Sequence, residues 1–392
     1  MIKDKIRNRL QVLLRESALP LNLFIRKASR IDPDKIAFYT ITSKFTCNPK
    51  YISEKIRALY PDIRIVWLTS EKEEDQKTFP DYVKRVPAFS LEGMREAYTS
   101  KIWIDNGLAF TAGFIRKDDQ IHIQTMHGSL GIKRLDNAIL MRQKKFLGRR
   151  DIYRESNLTD YVITNSKFEE DVFRSVFWKN VPMMRLGHAR TDILFSQNEP
   201  QRRIIREKLF KTYGIPVSDK LVLYAPTHRK DNVMDLNYGL LKEALEKRFG
   251  GVFSVIIKLH PKAREKRPAI PAFVRDLSDY ADIQELMLVC DVGVTDYSSW
   301  IFDYVLTKKP GFIFAPDVER YNTVTKFCYP LEETPFMIGK TNNELSDCIA
   351  QFNQDDYEKK VDAFLEEKGC VDDGNAAERI AVWVRSLMHN SH

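Results

Sequence analysis

The sequence predicts an α/β protein made of two doubly wound parallel sheets that face each other across a cleft. In both halves of the chain, short apolar runs of strand length alternate with segments of helical periodicity, the pattern of parallel strands covered by helices on both faces. With 392 residues, there is room for two domains that each bury a core. The segments MHGS, YAPTHRK, KLHPKA and TDYSS fall at carboxyl ends of predicted strands, where open α/β sheets hold ligands.

Hydrophobic residues make up 43% and charged residues 30%, which fits a folded globular chain and excludes a mainly disordered one. A net charge of +8 points to anionic partners: polyanions, phosphorylated substrates or an anionic membrane surface. Cys47, Cys290, Cys328, Cys348 and Cys370 are odd in number and lack CxxC spacing, so a reducing compartment is expected and a metal site is not. No apolar run approaches the ~20 residues of a membrane span, and the first residues lack the apolar stretch of a secretory signal. The expected location is the cytoplasmic face of the membrane, with peripheral attachment.

Taken in order, residues 1–16 read as a basic amphipathic helix, either packed on its own domain or lying on a membrane. Strands are predicted at 36–39, 63–68 and 102–105, with a helix at 49–59. A further strand ends near Thr125 and delivers His127, Gly128 and Ser129. Residues 137–157 interleave arginines and lysines with bulky apolar side chains, the composition of a monotopic membrane contact or of a charged surface. A strand at YVITNS, a helix at 166–176 and the segment VPMMRLGHARTDILF complete the first half. The polar stretch 196–203 marks the boundary, giving domains 1–197 and 198–392.

The second half opens with a helix to Tyr213. Strand LVLYAP, helix LNYGLLKEALEKRF and strand FSVIIKLHP follow. A strand at 291–295, a helix at 298–306 and a strand at 310–315 form the next unit, and helices at 343–352, 357–366 and 376–387 close the chain. Two Rossmann-like domains in tandem correspond to the GT-B architecture.

The strand ends bring His127, Thr227, His228, Arg229, His260, Lys262, Ser298 and Ser299 toward one cleft, a costly clustering without a ligand. In the TDYSS turn, hydroxyls and free helix amides suit a phosphate, with Asp303 near enough to offer a carboxylate to a ribose. The alternative is that Ser298 simply caps a helix. His127, next to a permissive Gly128, is suited to accept a hydroxyl proton near neutral pH. His260, fixed before Pro261, is either a structural histidine or a donor toward a leaving phosphate.

The sequence resembles the CDP-glycerol glycerophosphotransferases that build teichoic acid and related capsule polymers. The resemblance is carried by His127, Gly128, Ser129 and Lys133, by Tyr224 to Arg229, and by Gly187, Arg190 and Asp192. His260 with Pro261, and Thr295, Asp296, Tyr297, Ser298, Ser299, Asp303, Lys309 and Pro310, complete it. Met126 stands where the family has Trp, Gly131 alters the spacing of the loop after His127, and His228 takes an aromatic position.

The resemblance implies a transferase with CDP-glycerol as donor substrate and no cofactor or metal. His127 would be the base that lets an acceptor hydroxyl attack the β-phosphate. His260, Ser298, Ser299 and helix amides would hold phosphates, and Asp303 the ribose. Gly128, Lys133, Arg190, Asp192, Thr227, Arg229, Thr295 and Asp296 would line the substrate site. The acceptor implied is a lipid-linked saccharide on an anionic membrane surface, with a single-addition primase favoured. A glycerol phosphate or ribitol phosphate polymerase and a nucleotide-sugar glycosyltransferase are the alternatives. A nucleic-acid binder is disfavoured by the lack of any recognised motif.

Overall fold

The computed structural model describes residues 19–69, 79–107, 110, 113–128, 130–131, 133–134, 156–195, 199–227, 236–259 and 270–389. Several predicted features lie outside these residues: the helix at 1–16, nearly all of 137–157, and the side chains of Ser129, His228, Arg229, His260 and Lys262.

Thirteen strands among the described residues form two parallel sheets. The first half holds β1 (Asp32–Tyr39), β2 (Arg64–Thr69), β3 (Val83–Pro87), β4 (Ser100–Asp105), β5 (Ile121–Gln124), β6 (Tyr161–Thr164) and β7 (Met183–Arg185). They are ordered β3-β2-β1-β4-β5-β6-β7. The second half holds β8 (Lys220–Tyr224), β9 (Phe253–Ile257), β10 (Val274–Asp276), β11 (Val292–Thr295), β12 (Gly311–Phe314) and β13 (Met337–Gly339), ordered β10-β9-β8-β11-β12-β13. The order reverses beside β1 and β4 in one sheet and beside β8 and β11 in the other. These reversal points are where the crossover helices diverge and leave a crevice at the strand ends.

Alternation along the strands sorts the first core into two faces. Ile36, Phe38, Ile65, Trp67, Ile102 and Ile104 point to one face, against the Cys47–Leu59 helix. Ala37, Val66, Leu68 and Trp103 point to the other, against Met94 and Tyr98 of the Leu91–Thr99 helix and the rings of Phe110 and Phe114. The second sheet is buried with its helices in one continuous core.

The last helix, Ala376–His389, was expected to belong with the second half and instead packs on the first sheet, where Ala377, Ile380, Ala381 and Val384 join the core. Full burial of an Ile or Val side chain contributes on the order of 2 kcal/mol, which favours this crossing. The chain reaches that position through residues 371–372: Val371 N donates to Asn165 O at 2.8 Å and His188 N donates to Asp372 Oδ1 at 2.7 Å. The stretch 196–203, expected as a linker, already contains the start of the Glu199–Tyr213 helix, whose first turn accepts Pro200 because its amide would lack a partner there anyway.

Candidate functional site

The first sheet places His127 two residues beyond the end of the Thr125 extension of β5. Tyr39, Asp105 and Gln124 end three neighbouring strands in register, so the loops that follow converge. Met126 adopts φ +49°, a left-handed conformation that costs a non-glycine residue about 1 kcal/mol. The turn is fastened on both sides: Met126 N donates to Gln124 Oε1 at 2.9 Å, and Asn48 Nδ2 donates to the carbonyls of Thr125 at 3.0 Å and Met126 at 3.3 Å. Gln124 is itself held, its Nε2 donating to Asp105 Oδ1 and to Gly107 O, each at 2.7 Å.

This fastening aims the imidazole. His127 Nδ1 lies 2.6 Å from the carbonyl oxygen of Asn106. A carbonyl only accepts, so Nδ1 carries the proton and Nε2 is left with a lone pair. His127 keeps part of its surface exposed to solvent. Protein packed around its other sides lowers its pKa below the ordinary histidine value by desolvation. Arg190 acts in the same direction, and the Asn106 carbonyl and Asp105 oppose. The neutral, proton-accepting form is therefore the one favoured near pH 7.

The second sheet brings Thr227 and the TDYSS turn together at its own reversal point, because β8 and β11 are neighbours with Tyr224 opposite Val294. Asp296 Oδ1 accepts from Thr227 N at 2.8 Å, tying the two loops. Ser298 does not cap the following helix. That helix, Ile301–Tyr304, has Trp300 at its N-cap position and no side-chain cap, so the capping alternative falls away. Ser298 and Ser299 are both partly exposed. The two hydroxyls stand beside the Asp296 carboxylate, whose Oδ1 also accepts from Tyr297 N.

The segment after His127 crosses to the second half. Lys133 bridges to Phe327, and Arg134 N donates to Lys326 O at 2.8 Å. Lys133 Nζ donates to Thr227 Oγ1 at 3.2 Å and sits 5.9 Å from the centre of the Tyr321 ring, which stacks on Tyr297 at 4.1 Å. Lys133 thus reaches from the loop after His127 to Thr227, whose amide is held by Asp296 of the TDYSS turn.

Five expected substrate contacts are occupied elsewhere. Arg190 is 1% exposed. Its Nε donates to Asp303 Oδ2 at 2.8 Å, and its Nη2 donates to Asp303 Oδ1 at 3.1 Å and to Gly128 O at 2.9 Å. Asp303 is correspondingly buried with both oxygens engaged, so the ribose role expected for it is replaced by an ion pair between the two halves. Asp192 faces the last helix, accepting from Ala376 N at 3.0 Å and Ala377 N at 2.7 Å. Burial pushes its carboxyl up to about 6 against those two bonds. Thr295 is fully buried; its hydroxyl donates to Ala225 O at 2.8 Å and accepts from Trp300 Nε1 at 3.2 Å. Asp296, also buried, organises backbone amides. Each of these residues is engaged by protein partners. Gly128 differs: a Cβ there would meet no protein atom within 4 Å, so the space beside it is open.

Asn48, Asn106 and Gln124 orient His127 and were not singled out by sequence. The sequence IDNG at the end of β4 carried a usable signal, a polar pair with glycine at a strand terminus. The two halves also meet where Lys50 Nζ pairs with Asp282 Oδ2 at 2.6 Å and Tyr51 OH donates to the same oxygen at 3.0 Å. A cavity of about 670 Å³ beside this pair is lined by residues such as Glu54, Tyr213 and Tyr280, and by none of the predicted site residues.

The chain has relatives among known proteins. The chain is 28% identical over 379 residues to the teichoic acid poly(glycerol phosphate) polymerase of Staphylococcus epidermidis, covering 90% of this chain and 51% of that protein. It is 28% identical over 360 residues to the polymerase of the same name from Bacillus subtilis, covering 86% and 46%. The chain therefore spans about half the length of these relatives. The teichoic acid glycerol-phosphate transferase of Staphylococcus aureus is 25% identical, with 86% of this chain and 89% of that protein covered. Among solved structures, the wall teichoic acid polymerase TagF superposes with a TM-score of 0.81 at 25% identity over 98% of both chains. A variant of it soaked with CDPG gives 0.81 at 26% identity, over 99% of this chain and 97% of that one. A family model described as CDP-glycerol:poly(glycerophosphate) glycerophosphotransferase matches residues 21–386. The chain belongs to that family.

Proposed function

We propose that this chain transfers glycerol phosphate from CDP-glycerol to a hydroxyl of a lipid-linked saccharide at the cytoplasmic face of the membrane, releasing CMP. The observation that carries the reading is the 2.6 Å contact of His127 Nδ1 with the Asn106 carbonyl, which leaves the Nε2 lone pair of an exposed residue to act as a base. In the proposed step, Nε2 takes the proton of the acceptor hydroxyl as its oxygen attacks the phosphorus that bears glycerol. The new O–P bond forms, the P–O bond to CMP breaks, and CMP departs with the electron pair. Ser298, Ser299 and the amides of their turn are the proposed phosphate contacts, with Lys133 beside Thr227 supplying positive charge. His260 and Arg229 are proposed to complete the donor site. No cofactor is invoked.

Repeated addition is the second reading, favoured by the polymerase names of the relatives at 28% identity. Incubating the protein with CDP-glycerol and a lipid-linked disaccharide analogue and weighing the product separates the two: one added unit marks a primase, a ladder a polymerase. Transfer from CDP-ribitol or a nucleotide sugar, and none from CDP-glycerol, overturns both.

The donor contacts have their own test. Ser298→Ala and Ser299→Ala are each expected to weaken CDP-glycerol binding about tenfold, the loss of one hydrogen bond to a charged group. Calorimetric titration measures it directly, and unchanged affinity in the double variant removes the turn from the donor site.

A further inference from the structure

Just past His127 the chain gives up a large apolar side chain to the other half. Leu130 is 1% exposed, and it lies in the continuous core of the second sheet although its loop springs from the first. Its backbone carbonyl is engaged there too, accepting from the hydroxyl of Tyr329. The loop therefore starts on one half, at the Met126 turn held by Asn48 and Gln124, and is anchored on the other. Leu130 falls between Gly128, whose carbonyl is held by Arg190 Nη2, and Lys133, which bridges to Phe327.

Tyr329 is seated where the two halves meet. Its ring packs edge-on against Phe168 of the Lys167–Val176 helix, with centres 5.5 Å apart, and against Phe302 and Phe364 of the second half at 6.4 and 6.0 Å. Lys368 Nζ lies 4.2 Å from the ring centre, and the Lys368 carbonyl accepts from Phe168 N at 3.1 Å, so the cation over the ring is itself tied to the first half. A ring confined by groups from both halves holds its one polar atom at a fixed place. Burial raises the hydroxyl's pKa, so it stays protonated and donates throughout the working pH range.

We propose that Tyr329 is a positioning residue for the transfer: through its bond to the Leu130 carbonyl, it sets where the His127 imidazole stands relative to the TDYSS turn. The inference rests on the proposed function in taking His127 as the base and that turn as the donor seat. A base acts only within hydrogen-bond reach of the proton it takes, and a misplacement of about 1 Å can cost about 10²-fold in rate. The first half aims the ring, through Asn106, Asn48 and Gln124. Distance from the donor is a separate matter, and it is set by the bonds the same loop makes to the second half.

The test uses the full chain. Tyr329→Phe keeps the ring in its seat and removes only the bond. It is expected to lower kcat at least about tenfold, with KM for CDP-glycerol and the pH of the rising limb unchanged, because His127 keeps its bond to Asn106. Leu130→Ala is expected to act in the same way, and Leu130→Met, of similar volume, to restore turnover. In a His127→Ala background, Tyr329→Phe is expected to change the residual turnover by no more than about twofold, since its effect runs through the imidazole. Parent-like kcat in Tyr329→Phe overturns the proposal, as does a raised KM at parent kcat or an equal loss in both backgrounds. Hydrogen exchange reads the loop apart from the reaction: in Tyr329→Phe, amides of the peptide 124–134 are expected to exchange at least about tenfold faster. Unchanged exchange there also overturns the proposal. Faster exchange in a protein whose parent transfers nothing from CDP-glycerol leaves Tyr329 as the holder of the His127 loop and removes the proposed function instead.

Discussion

His127→Ala is expected to lower turnover by about 10²–10⁴-fold while CDP-glycerol affinity stays largely intact. The expectation follows from where the ring's hydrogen bonds go. Nδ1 is committed to the Asn106 carbonyl, and Nε2 is the atom left to act on a proton. A general base that touches the acceptor hydroxyl contributes to the transition state and little to donor binding, so the loss appears in kcat. His127→Asn retains a polar side chain of similar reach and loses the basic nitrogen, so it is expected to behave like the alanine variant.

The pH profile supplies an independent check with a definite sign. The base works when neutral, so kcat/KM is expected to rise as pH increases through the pKa of His127 and to level off above it. Because desolvation and Arg190 lower that pKa, the rising limb is expected below the ordinary histidine range. A limb at or above that range, or turnover in His127→Ala near that of the parent, removes His127 from the mechanism.

How far the sequence could be read depended on how completely each strand is buried. The central strands β1, β2, β4, β5, β8, β9, β11 and β12 were all visible as apolar runs, because burial on both faces leaves little room for polar residues. The edges β3, β7, β10 and β13 were not. An edge strand pairs on one side only; β3 reads Val-Lys-Arg-Val-Pro with its middle residues exposed, and β10 is a three-residue Val-Arg-Asp. Neither pattern separates a strand from a loop.

The site divides in a similar way. Strand-end positions told which loops gather: those that carry His127 and Lys133, Thr227, and the two serines follow β5, β8 and β11. Direction was not legible. Arg190, Asp192, Thr295, Asp296 and Asp303 occur in the same motifs as the proposed ligand contacts, and only their partners reveal that they turn inward. A buried charged or hydroxyl group must find a partner, and a motif of mixed residues supplies both the ligand contacts and the groups that hold them. Asn106 was missed because its backbone, not its side chain, orients the imidazole.

Breaking the Arg190–Asp303 pair is expected to have the largest effect on stability. Both side chains are nearly fully buried, with two hydrogen bonds between them at 2.8 and 3.1 Å. Asp303→Asn leaves a guanidinium without its counter-charge, and Arg190→Met leaves a buried carboxylate. Each is expected to lower unfolding free energy by roughly 3–5 kcal/mol. Arg190→Met combined with Asp303→Leu is expected to recover most of that loss, since an apolar pair of similar volume removes both desolvation penalties at once. Turnover is expected to remain low even then, because Arg190 Nη2 also holds the Gly128 carbonyl, and with it the loop that presents His127. Stability and turnover therefore part company in the double variant, as they do for a positioning residue. A ribose ligand behaves differently: Asp303→Asn would raise KM for CDP-glycerol in a protein of normal stability, with no coupling to position 190. Denaturant midpoints of the two single variants and the double, measured beside their steady-state kinetics, decide between these outcomes, and additive stability losses would sink the ion-pair account.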